Sequence, residues 1–193
     1  MKHFPEGFQD LTYLAWERDV KWNAHKRWKE SEPVSPAEAV KIEARTFLVG
    51  PFEKMSLRDA VKNDKAERLL RHGLEHWVKL EDERAFNAWL ECLERTAETS
   101  GQKRLRSWPV VTAFPFLASP RRNIFLKPMT VKRAAEAYGF DLDYQSKANW
   151  LTYRSLLGFT SQVRRDIKDL RPRDMIDIQS FIWVIGTTEA AYQ

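Results

Sequence analysis

Residues 107–128 read SWPVVTAFPFLASPRRNIFLKP, and whether they form strands or a helix decides the fold. Val110, Val111, Phe114, Phe116, Ile124 and Phe125 carry the β-branched and aromatic content of short strands on either side of the turn-like ASPRRN. Pro109, Pro115 and Pro128 would each remove a ladder N–H, so the segment reads as a small irregular β-hairpin around 108–128, near a sheet edge. Its tip, SPRRN at 119–123, would present Arg121 and Arg122 to solvent.

Outward from this segment the chain reads as helix. Residues 8–30 lack proline and place Leu11, Leu14, Val20, Ala24 and Trp28 at roughly helical intervals. Ser35, Pro36 and Glu38 form a capping box for the next helix, and Gly50-Pro51 ends that unit. Ser56 and Asp64 read as two further caps, and 82–100 put Phe86, Trp89, Leu90 and Leu93 on one face. After the hairpin, Thr130 caps a helix that stops at Gly139, and 148–170 form another long one. The expected fold is mainly α within an α+β class: one compact domain, 1–193. It divides into a helical half at 8–99, a basic hairpin segment at 101–129 and a second helical half at 130–186.

The 193 residues suffice for one sizeable core, and 43% apolar with 12% aromatic content excludes a disordered chain. MKHFPEGFQD at the start shows neither a basic n-region nor an apolar h-region. The longest apolar run, FIWVIG at 181–186, falls far short of the roughly 20 residues that cross a bilayer. No membrane association is expected, and the location expected is cytoplasmic. Cys92 is the single cysteine; it suits a reducing compartment and reads as a buried thiol.

The placement of charge says more than its total. Residues 101–135 contain Lys103, Arg104, Arg106, Arg121, Arg122, Lys127, Lys132 and Arg133 and no acid, which exceeds the net charge of +5 of the whole chain. Such cations neutralise phosphates and release counterions, and Trp108, Phe114, Phe116 and Phe125 among them offer faces on which bases stack. The alternative is that the aromatics fill the core and the cations solvate a hairpin surface. Lys21, Lys26 and Arg27 form a second, weaker basic patch.

The ending RPRDMIDIQSFIWVIG, 171–186, reads mostly as core. Pro172 suits the first position of a helix, where Asp174 and Asp177 meet the positive end of its dipole. Met175, Ile176, Ile178, Phe181, Ile182, Trp183, Val184 and Ile185 then leave no wide polar face. Arg171, Arg173, Asp174, Asp177 and Gln179 are the candidate polar cluster at its mouth. SWPVVTAFPFL, NIFLKP, ANWLTY and RPRDMIDIQSFIWV together resemble a group of short bacterial proteins. The ending alone resembles a segment of bacterial proteins linked to McrB-like restriction ATPases. The resemblance covers about the C-terminal half and implies bacterial cytoplasm and a DNA-associated or defence-related setting, with an ATPase or restriction subunit as an expected protein partner.

Few motifs point to chemistry. His72, Glu75 and His76 in HGLEH fit the inverted zinc-protease pattern, with no third ligand identified. No phosphate-binding G-x-x-x-x-G-K-[ST] and no G-x-S-x-G elbow occurs. Asp141 and Asp143 lack the acid-x-lysine spacing of a restriction-type nuclease, and nothing pairs Cys92 with His25. The first reading is therefore a non-enzymatic nucleic-acid-binding or accessory module, with no resident metal or cofactor. The alternatives are an adaptor that docks an acidic protein and a metal-dependent hydrolase built on HGLEH.

Overall fold

In the computed structural model residues 12–187 are described, so residues 8–11 of the first expected helix lie outside it. Nine α-helices follow among the described residues: α1 (Thr12–Glu30), α2 (Pro36–Glu43), α3 (Pro51–Ala60), α4 (Asp64–His76), α5 (Glu83–Ser100), α6 (Trp108–Ala118), α7 (Pro128–Ala137), α8 (Trp150–Asp166) and α9 (Met175–Thr187). Short 3-10 turns at Lys103–Arg106 and Lys168–Leu170 precede α6 and α9.

Local signals set most of these boundaries. The Glu38 N–H donates to Ser35 Oγ at 3.2 Å, as the capping box requires. The cap of α4 is Asn63, one residue before the expected Asp64, because its side-chain oxygen accepts from both Lys65 and Ala66 N–H. Ser56 and Thr130 are not caps; each lies buried inside a helix. Pro51 and Pro128 start those helices earlier, since proline lacks the N–H that has no partner in a first turn. Pro172 likewise precedes α9 and does not open it; Asp174 accepts the Ile176 N–H at 2.9 Å. Gly139 sits just beyond α7 at φ 67°, the stop expected there.

The expected β-hairpin is absent: among the described residues there is no strand, and 108–118 are helical. Every residue of α6 except Pro109 is buried. A helix enclosed on all sides needs no polar face, so its sequence loses the 3.6-residue period and resembles a strand. Two of the three prolines taken as ladder breakers instead stand in first turns, Pro109 in α6 and Pro128 in α7. Pro115, inside α6, cannot donate to the Val111 carbonyl one turn back. Trp89 of α5 supplies that bond through its indole N–H at 2.9 Å. Beyond a turn at 119–122, residues 123–127 run extended without a strand partner. The Ile124 N–H donates to Tyr153 Oη at 3.3 Å and the Leu126 N–H to Thr112 Oγ1 at 2.9 Å. Replacing Trp89 with phenylalanine keeps an aromatic ring but leaves the Val111 carbonyl buried and unbonded. Urea unfolding should show a loss of about 1–3 kcal/mol.

Apolar side chains from α1 through α9 join in one buried cluster. In α9, Ile176, Ile178, Phe181 and Ile182 are buried, whereas Trp183 is only partly so, which corrects its expected place in the core. No helix among the described residues is long and apolar enough to cross a membrane.

Candidate nucleic-acid interface

All eight cations of 101–135 are exposed. Lys103, Arg104 and Arg106 occupy the 3-10 turn after α5, Arg121 and Arg122 the turn after α6, and Lys132 and Arg133 lie on α7. Lys127 ends the extended segment. Trp108, Phe114, Phe116 and Phe125 are buried, so the stacking faces expected within this segment are not on the surface. The cations also meet different neighbours. Arg104 lies 3.9 Å from Glu53 of α3, Arg122 lies 3.5 Å from Glu81, and Lys132 rests 5.2 Å from the Tyr144 ring centre.

Beside Lys127 opens a cleft of about 670 Å³, lined by Phe47, Leu48, Pro51, Lys54 and Arg58, with Glu53 as its acid. Phe47 is 73% exposed and Phe52, next along α3, 60%. The Lys54 ammonium sits 5.4 Å from the Phe47 ring centre and the Arg104 guanidinium 4.9 Å from that of Phe52. The loop carrying Phe47 is pinned from below by Glu43. Its Oε1 accepts the Val49 N–H at 3.1 Å, and burial pushes the Glu43 carboxyl above the usual carboxylate range. Phe47 itself has φ 56°, a left-handed conformation uncommon for a bulky residue. A second cleft, of about 500 Å³, has Val40, Ala44 and Val61 for its floor and Arg45, Arg58 and Lys62 among its walls. Phe47, Phe52, Arg45, Lys54, Arg58 and Lys62 were not read from the sequence, where they are scattered among acids; aromatics flanking a Gly-Pro helix start were the available signal.

The ending forms a separate polar cluster, and the sequence named only half of it. Arg18 of α1 donates from Nη1 and Nη2 to both Asp174 oxygens, at 2.9 and 2.8 Å, and from Nη1 to Asp177 Oδ1 at 2.9 Å. Arg173 closes the other side, donating through its backbone N–H and Nε to Asp177 Oδ2 at 2.8 and 2.9 Å. Every oxygen of the two aspartates therefore has a partner, which leaves them ion-paired supports of the α1–α9 contact. Burial alone would raise the Asp174 carboxyl, but its Arg18 bonds and the N–H of Ile176 outweigh that and hold it below the usual range. Arg171 is exposed, at φ 52°, outside this network. Lys21 is 1% exposed and donates to Glu17 Oε1 at 2.7 Å and Gln179 Oε1 at 2.5 Å, so it belongs to this cluster rather than to a surface patch with Lys26 and Arg27. Burial lowers the Lys21 ammonium below its ordinary range.

HGLEH lies on α4 with His72, Glu75 and His76 exposed and the two imidazoles 4.6 Å apart. Gly73 faces α5, where an added Cβ would stand 2.9 Å from the Trp89 ring, so the glycine serves helix packing. Among the described residues no three His, Cys, Asp or Glu side chains gather as metal ligands. Cys92 is buried, and burial raises its thiol above the ordinary range. No protein-family model matches the chain, and no curated protein or solved structure matches it.

Proposed function

We propose that this chain is a non-enzymatic nucleic-acid-binding or accessory module that contacts phosphates through the basic segment 103–133. The observation that carries this reading is an acid-free segment whose eight cations all face solvent. Their carboxylate contacts are long, at 3.5 Å for Arg122, where both partners are exposed, and 3.9 Å for Arg104, whose partner Glu53 is half-buried; long pairs of this kind hold a charge weakly. The sequence resemblance adds the setting: bacterial cytoplasm, in a DNA-associated or defence system.

The test is fluorescence anisotropy with oligonucleotides of several sequences across a salt series. Arg104→Ala with Lys127→Ala removes one cation that lines the larger cleft and one that lies beside its Glu53. It should weaken binding to all sequences about equally and lower the salt slope by roughly one to two units. Melting temperature should barely change, since both side chains are exposed. No binding by the parent chain at low salt would sink the reading. Met55 and Met129, 54% and 57% exposed, favour the adaptor as a second reading, in which an acidic protein covers this surface. That partner would bind without the log-linear counterion release of a polyphosphate.

A further inference from the structure

The two clefts share Arg58, which lines both. Cations thus occur in both linings: Lys127, Lys54 and Arg58 with Glu53 among them in the first, and Arg58, Arg45 and Lys62 in the second. Asp59 takes up Lys62 at 2.8 Å, and Glu38 takes up Arg27 at 3.1 Å and Lys41 at 3.9 Å, the last two also lining the second cleft. Arg45 and Arg58 form no salt bridge with another described residue, although Arg58 and Lys54 are near enough to the buried Glu43 carboxylate to attract it, and both arginines are exposed where an anion can reach them. Among the cations the linings are apolar, with Leu48, Val49 and Pro51 in one cleft and Val40, Ala44 and Val61 in the other. Phe47 lines the first cleft and Phe52 lies beside it in sequence, next to the lining residues Pro51 and Glu53; they are the most exposed large apolar side chains of the described residues.

We propose that these clefts form one track for a single-stranded polynucleotide, with Phe47 and Phe52 as stacking platforms and Arg45, Lys54, Arg58 and Lys127 as phosphate contacts. This rests on the nucleic-acid reading and names its substrate class. Aromatic rings bind bases whose faces are free, and in a duplex those faces are already stacked on their neighbours. A duplex groove is entered by a projecting helix or a two-stranded ribbon. Here the cations line concave walls, and the volumes of about 670 and 500 Å³ fall within the range of roughly 300–1,000 Å³ that encloses a small ligand. The concave cleft linings also argue against a lipid surface, for which a continuous protruding apolar face would serve.

The experiment compares a labelled mixed-sequence 20-mer as a single strand and as a duplex, by anisotropy across a salt series. The single strand should bind at least about tenfold tighter. Phe47→Ala with Phe52→Ala should weaken single-strand binding about tenfold or more while the salt slope stays unchanged, because base stacking releases no counterions. Arg58→Ala should lower the slope by about one. Phe52→Ala alone serves as a second variant, and thermal melting confirms that each variant is folded. Equal or tighter duplex binding, or full single-strand affinity in the phenylalanine variants, would overturn the track yet leave the module reading standing. Binding to neither form would remove both. Phosphatidylserine vesicles that bind tightly and lose binding with Phe47 and Phe52, without any single-strand preference, would assign the face to membranes and overturn the proposal.

Discussion

Arg18→Ala is expected to cost about 3–5 kcal/mol of folding stability, the range for removing one partner of a buried ion pair. The arginine meets Asp174 and Asp177, whose side chains are almost fully buried, and without it the two carboxylates share only Arg173 and backbone N–H groups. Arg18→Lys should recover part of the loss, since one ammonium cannot reproduce the forked contact with Asp174. The pH dependence follows from the direction of the Asp174 shift. Its folded pKa lies below the unfolded value of about 3.9, so its stabilisation is complete above that value and disappears as pH falls through the folded pKa. Urea unfolding from neutral pH into the acid range should show the parent losing stability there. Arg18→Ala should lose less over the same range, because Asp174 no longer titrates low. A variant that unfolds like the parent at neutral pH would refute the clamp.

Gly186→Ala is expected to destabilise the chain by about 3 kcal/mol or more, at or above the usual overpacking cost. An added Cβ would stand 2.2 Å from the Thr130 carbonyl oxygen and 3.0 Å from its carbonyl carbon and Cγ2. The obstacle is backbone, which cannot rotate away as a flexible side chain does, so α7 and α9 must move apart along their contact. Guanidinium unfolding measures the effect. A loss below 1 kcal/mol would show that the last turn of α9 yields without cost.

Legibility differed by the range over which each signal acts. Ser35, Glu38 and Gly139 were readable because a cap or a stop involves residues within one helical turn. Ser56 and Thr130 misled because any small hydroxyl residue resembles a cap until a nearby proline fixes the start. Asp174, Asp177 and Gln179 were legible as a polar knot, but Arg18 and Lys21 were not: the Arg18–Asp174 and Lys21–Gln179 bonds join residues 156 and 158 positions apart. Whether the aromatics of 108–125 stack on a ligand or fill the core stayed open in the sequence for a related reason; the structure buries them. Charge density along a segment shows which side chains need water, and not which way their aromatic neighbours point.

The sequence by itself determined that the chain is mainly helical, where some of the helices begin or end, and that residues 101–135 contain eight cations without an acid. Only the tertiary structure decided that 108–118 are a helix. Burial on every side removes the period that identifies one, and the carbonyl orphaned by Pro115 is satisfied by Trp89, 22 residues away from Val111. It also decided that Phe47, Arg45 and Arg58 line two clefts that share one arginine. Local preference acts across a helical turn, whereas a cleft arises where separate helices fail to close over one another. That mismatch of shape is fixed only when the whole core is packed.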